Sequence, residues 1–214
     1  MGAISVFDAA KYFLSKETDI FSEPMTHLKL QKLVYYAQCY HIAEYGESLF
    51  DEQFEAWAHG PVSPVLYQEF RGYGYNPIPK MPMINLPNFP DFIVVTLERV
   101  WREFGNLTAK QLEYMTHQEL PWVEARGSTP YGDPCTAVIS ETTMKIYYKG
   151  LINMNKGSKE LKPLFTLNEV KRVAGNIDRS SRGTDEEYFE VINEEMEQFK
   201  LLRERVAGGW QEER

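Results

Sequence analysis

Proton transfer or metal binding in this chain would fall first to four histidines: His27, His41, His59 and His117. None stands in an HExxH or His–x–His pair, and Cys39 and Cys135 lie apart without metal-ligand spacing. Neither a metal nor a cofactor is expected. There is no GxGxxG, no GxxxxGK[ST] and no GxSxG, so phosphate-loop and nucleophile-elbow chemistry have no foothold. His59, within Trp57-Ala-His-Gly-Pro61, sits at a sharp turn where its ring could cap backbone groups or titrate in a cleft. His117 lies in Thr116-His-Gln-Glu119, whose outer residues have capping-box spacing, so a local structural role accounts for them. His41 reads as a satisfied core or boundary histidine. Carboxylates are numerous but fall on expected solvent faces, and no acid–base pair stands out. The enzyme chemistry left open is a hydrolase using His59 and His117 with carboxylates.

The element that must position these residues runs from Thr26 to Gly46, THLKLQKLVYYAQCYHIAEYG. Its apolar residues surround the whole circumference, which predicts a buried helix wrapped by others. Thr26 is placed to cap it and Gly46 to end it in the left-handed conformation. Its four tyrosines need hydroxyl partners, so the surrounding shell should be partly polar. Before it, residues 5–16 form a helix capped by Ser5. After it, the stretch through Phe50, Phe54 and Ala56 reads as a short hairpin or extended pair, broken by Gly60-Pro61. Ser63 caps a helix with Pro64 at its first position. The proline-rich residues 75–90 form an irregular loop pressed on the core. Helices are expected from Asp91 to Gly105, from a Thr108–Gln111 capping box through Met115, for a turn or two at Pro121-Trp122, and after Ser140. The expected fold is mainly α: a compact helical domain, residues 1–150, around the buried central helix.

Residues 151–214 read as a separate appendage of linker and amphipathic helix. A short helix should open at Thr166 and a long one should run from Thr184 to about Ala207. Tyr188, Phe189, Ile192, Met196, Phe199 and Leu202 line the apolar seam of the long helix and are the expected partner-binding residues. Net charge is −8, of which residues 1–150 carry −6. An acidic main body argues against wrapping a nucleic-acid backbone. No apolar run approaches the roughly 20 residues that span a bilayer, and the first residues lack a basic segment and cleavage site. With Cys39 on the buried helix as a reduced thiol, a soluble cytoplasmic protein is expected.

Residues 28–74, LKLQKLVYYAQCYHIAEYGESLFDEQFEAWAHGPVSPVLYQEFRGYG, resemble the signature of the Panacea domain of SocA-like antitoxins and phage-associated GepA-type proteins. The pattern LKLQKLLYYAQ, an acidic turn, EAW and [YH]GPV is matched nearly residue by residue. The later THQExPW pattern is met by Thr116, His117, Gln118, Glu119, Pro121 and Trp122. The resemblance covers about residues 1–150. It implies a largely helical antitoxin domain of toxin–antitoxin operons and prophages, without enzymatic activity, that neutralises a cognate toxin by direct binding. It also implies an alternative, an adaptor delivering a client to a protease. Trp57, His59, Gly60, Pro61, Thr116, His117 and Trp122 then look like fold determinants rather than a reaction centre.

Overall fold

The computed structural model describes residues 2–16, 23–79 and 86–154. The expected helices after 155, with their partner-binding residues Tyr188 to Leu202, lie outside the described residues. Seven α-helices and one two-stranded sheet are seen among the described residues.

The central helix α2 spans His27–Tyr45. Thr26 accepts the Lys29 N–H at its hydroxyl (3.2 Å), and Gly46 closes the helix at φ +83°, as its sequence predicts. Residues 29–43 of α2 are all buried. α2 packs against α1 (Val6–Ser15), α4 (Asp91–Phe104), α5 (Ala109–His117) and α7 (Glu141–Met154), with the short α3 (Pro64–Phe70) also in contact. α6 (Leu120–Arg126) packs on α7. The expected Thr108–Gln111 capping box forms completely, and the expected Ser5 cap is closed into a second box by Asp8. Such caps depend on residues three apart, so they are settled by local sequence. α7 runs past residue 150, four residues beyond the expected end of the domain.

The buried surface of α2 is more polar than its apolar composition suggests. Lys29, Gln31, Lys32, Gln38 and His41 are buried with the hydrocarbons. Four of them bond the backbone of neighbouring loops. Lys29 Nζ donates to Gly105 O (2.7 Å) and Glu23 O (3.1 Å). The Gln31 amide accepts from Ser63 N (2.8 Å) and donates to Ser63 O (3.3 Å). The Gln38 amide accepts from Leu49 N (2.9 Å) and Phe50 N (3.2 Å) and donates to Phe50 O (3.0 Å). Lys32 Nζ donates to Pro61 O (3.0 Å). Buried loop backbone must find partners; here a helix provides them.

Two local expectations are corrected. Gly60-Pro61 does not break the extended pair: strands β1 (Glu55–Trp57) and β2 (Gly60–Val62) pair antiparallel, Glu55 with Val62, Ala56 with Pro61 and Trp57 with Gly60. An antiparallel ladder hydrogen-bonds only alternate pairs. The Ala56 N–H turns away from β2 to Ala137 O (2.9 Å), so Pro61 stands opposite it where its missing N–H costs nothing. Ser63 does precede α3, with Pro64 at the start, but its hydroxyl makes no capping bond.

Candidate functional site

All seven motif residues converge where the β1–β2 hairpin meets α2, α5 and α6. Three carbonyls of the hairpin each receive a side chain from a helix. Pro61 O receives Lys32 of α2, Ala56 O receives Arg126 Nη1 (2.9 Å), and Trp57 O receives Trp122 Nε1 (3.0 Å) from α6. Arg126 Nη2 also donates to Pro130 O (2.6 Å) and Asp133 O (2.8 Å), tying the following loop to the same place. Trp122 stacks on His117 (ring centroids 4.2 Å, 27° between planes) and carries the Arg126 guanidinium on its other contacts (5.0 Å). Gly60 has φ +91°, and a Cβ there would stand 2.7 Å from Thr116 Oγ1 and 2.8 Å from Lys32 Cε. Only glycine fits both the backbone angle and the space.

Charge is concentrated beneath this turn. Glu113 of α5 is fully buried; its Oε1 takes His59 Nδ1 (2.8 Å) and its Oε2 pairs with Lys110 Nζ (3.0 Å). Burial would raise the Glu113 pKa, but the His59 hydrogen bond and the charges of His117, Lys110 and His59 hold it at about 2. His117, one turn along α5, is also fully buried, and its Nδ1 meets the Tyr131 hydroxyl. Burial lowers its pKa to about 3, against the pull of Glu113, so the ring is neutral at pH 7. Burial lowers Lys32 to about 7, again against Glu113. A second buried carboxyl, Glu119, accepts from Tyr148 Oη (2.5 Å) and Tyr36 Oη (3.0 Å). Burial raises it to about 8, partly offset by those two bonds.

The THQE segment is therefore not a capping box. Thr116 Oγ1 donates to Glu113 O within α5 (2.9 Å), and Glu119 precedes α6 without a side-chain cap bond. Nor do all carboxylates face solvent, since Glu113 and Glu119 are core residues. Lys32, Glu113, Glu119 and Arg126 are the site residues that sequence reasoning missed. Lys32 did carry a signal: a lysine inside an all-round apolar helix must find an acceptor. His41, as expected, is a satisfied boundary residue, its Nδ1 3.3 Å from Thr96 Oγ1.

Chemically, the arrangement offers one half-exposed imidazole, His59, oriented by a buried carboxylate, a pair suited to proton transfer. Lys32, Glu119 and Arg126 are internal and serve backbone carbonyls or tyrosine hydroxyls, and the half-exposed Lys110 pairs with Glu113. Among the described residues no group of three or more His, Cys, Asp or Glu could hold a metal ion. No helix among them is long and apolar enough to cross a membrane.

This convergence of EAW, HGPV and THQELPW on one hairpin is the core of a mainly helical domain. Residues 30–123 match the family described as antitoxin SocA-like, Panacea domain, and all seven motif residues fall within the match. The chain is similar to Antitoxin SocA of Caulobacter vibrioides (strain NA1000 / CB15N), 33% identical over 110 residues. That alignment covers 46% of this chain and 58% of the curated relative's length. No solved structure matches.

Proposed function

We propose that this chain is the antitoxin of a toxin–antitoxin pair, neutralising its cognate toxin in the cytoplasm by direct protein–protein binding. The observation that carries the reading is the match of residues 30–123 to SocA-like antitoxins. The geometry supports it: the motif residues are spent on holding a hairpin, with Lys32, Arg126 and Trp122 bonded to backbone carbonyls. In this reading Trp57, His59, Gly60, Pro61, Thr116, His117 and Trp122 are structural and the protein is not an enzyme. Residues 1–150 are the domain, and Tyr188, Phe189, Ile192, Met196, Phe199 and Leu202 of the C-terminal segment add partner contacts.

The test is co-expression with the adjacent open reading frame. Its product should arrest growth when expressed alone and lose that effect beside this chain, with the two proteins co-purifying. Arrest that co-expression does not relieve refutes the reading. Protease subunits recovered with the pair would move it to the adaptor alternative. One observation favours a hydrolase instead, the half-exposed His59 on buried Glu113; full rescue by a His59→Ala, His117→Ala double variant removes that reading.

A further inference from the structure

Glu119 is a buried carboxyl that no cation answers among the described residues. It stands immediately before α6, and its two oxygens accept from Tyr36 Oη of α2 (3.0 Å) and Tyr148 Oη of α7 (2.5 Å). The titratable groups facing it are Tyr35, Tyr36, Cys39 and Tyr40 of α2 and Tyr148 of α7. Burial pushes all five well above their ordinary values, so they keep their protons, and Glu119 is the member of this cluster that titrates near neutrality. The neighbouring elements bring charges that point elsewhere. Glu103 and Arg99 of α4 act on Tyr40, His117 of α5 meets Tyr131, and Arg126 of α6 is spent on loop carbonyls. Phe104 of α4 stacks on Tyr36 (4.2 Å, 7° between planes) and closes that side of the cluster.

The two halves of α7 are held differently. Its first half is pinned by Glu141, which accepts from Ser48 Oγ (2.9 Å) and Gln38 Nε2 (3.2 Å), and by Lys145 Nζ, which donates to Gly46 O (3.2 Å). Its second half meets Glu119 through Tyr148, and Gly150 follows two residues later, inside the helix. A glycine within a helix weakens it, so this end is the one that opens at less cost than the whole chain.

We infer that Glu119 is a proton-controlled latch on α7: protonated, it fastens Tyr148 beside Tyr36, and loss of the proton lets the second half of α7 open while the core around α2 stays folded. A buried carboxylate without a cation costs more than two phenol hydrogen bonds return. Closed, the carboxyl keeps its proton up to about pH 8; in water it releases it at about 4.5. Opening is therefore suppressed at acid pH, grows by up to tenfold per pH unit between those values and levels off above them. Residues 155–214 continue from the end of α7, so the latch sits at the root of the C-terminal segment.

The test is amide hydrogen exchange of the full chain at pH 5.5, 6.5 and 7.5, read by mass spectrometry and corrected for the intrinsic exchange rate. Amides 149–154 should open in a phase faster than that of α2, and this opening should grow about threefold to tenfold per pH unit. Glu119→Gln keeps a side chain that can bond both tyrosines but has no proton to lose, and its slope should fall below threefold. Tyr148→Phe leaves Glu119 in place but unfastens α7 from it; at pH 5.5, where the parent latch is shut, opening should rise by about threefold or more. This second variant also carries the test should Glu119→Gln not fold. An α7 end that opens only together with α2 overturns the latch, as does a parent-chain slope below threefold per pH unit. So does a threefold or steeper slope that persists in Glu119→Gln, or a Tyr148→Phe opening less than threefold above that of the parent chain at pH 5.5.

Discussion

Gly60→Ala tests whether the hairpin turn is held from three sides. The residue has φ +91°, where an L side chain is strained by about 1–2 kcal/mol. The added methyl would also stand 2.7 Å from Thr116 Oγ1, 2.8 Å from Lys32 Cε and 2.9 Å from Lys32 Nζ. Neither neighbour yields easily: the Thr116 hydroxyl is bonded to Glu113 O, and Lys32 is bonded to Pro61 O in a fully buried position. Overpacking of this kind costs about 1–3 kcal/mol. Gly46 makes the control. Its φ is +83°, yet a Cβ there meets nothing nearer than Lys145 Nζ at 3.4 Å, so Gly46→Ala carries the backbone cost without the wedge. Urea unfolding followed by circular dichroism should place Gly60→Ala about 2–5 kcal/mol below the parent chain and about 1–3 kcal/mol below Gly46→Ala. In melting temperature that second gap is roughly 3–10 °C for a domain of this size. Two variants that melt together would show that Thr116 and Lys32 move aside freely, and the packed turn would be wrong.

Other consequences follow from the buried charges. Glu119 is raised from 4.5 to about 8, so the folded state keeps a proton the unfolded chain releases, and stability falls as pH rises through that window. Glu119→Gln removes this dependence; its stability relative to the parent chain should grow between pH 5 and pH 8, and a constant difference would refute the buried acid. His117 is lowered from 6.5 to about 3, so here the unfolded chain takes the proton and stability is lost as pH falls below 6.5. His117→Gln should reduce the acid-side slope between pH 6.5 and 4.5 by up to about 1.4 kcal/mol per pH unit, measured by urea midpoints across that range. Arg126→Lys should cost about 2–4 kcal/mol, because a point ammonium cannot replace a fork bonded to Ala56, Pro130 and Asp133 carbonyls. A thermal melt unchanged from the parent chain would show those bonds to be dispensable.

Sequence by itself determined the parts of this protein that are local. Ser5, Thr26 and Thr108 bond backbone within three residues, Gly46 turns left-handed, and the alternating and helical patterns place β1 and the helices without reference to anything distant. It also determined the resemblance, since the ordered motifs are themselves a string of residues. What only the tertiary structure decided is which polar side chains would be buried and whom they would serve. Lys32 bonds Pro61, 29 positions away, and Arg126 bonds Ala56, 70 positions away. Glu119 lies next to α6 in the chain but takes its hydrogen bonds from Tyr36 of α2 and Tyr148 of α7. The THQE segment shows the difference most plainly: its spacing permits a capping box, yet the Thr116 hydroxyl turns back to Glu113 O within α5, and burial draws His117 to Tyr131 and Glu119 to Tyr36 and Tyr148 instead. A capping bond at an exposed helix end is worth about 1 kcal/mol, whereas a buried polar group left without a partner costs more, so the distant pairing prevails.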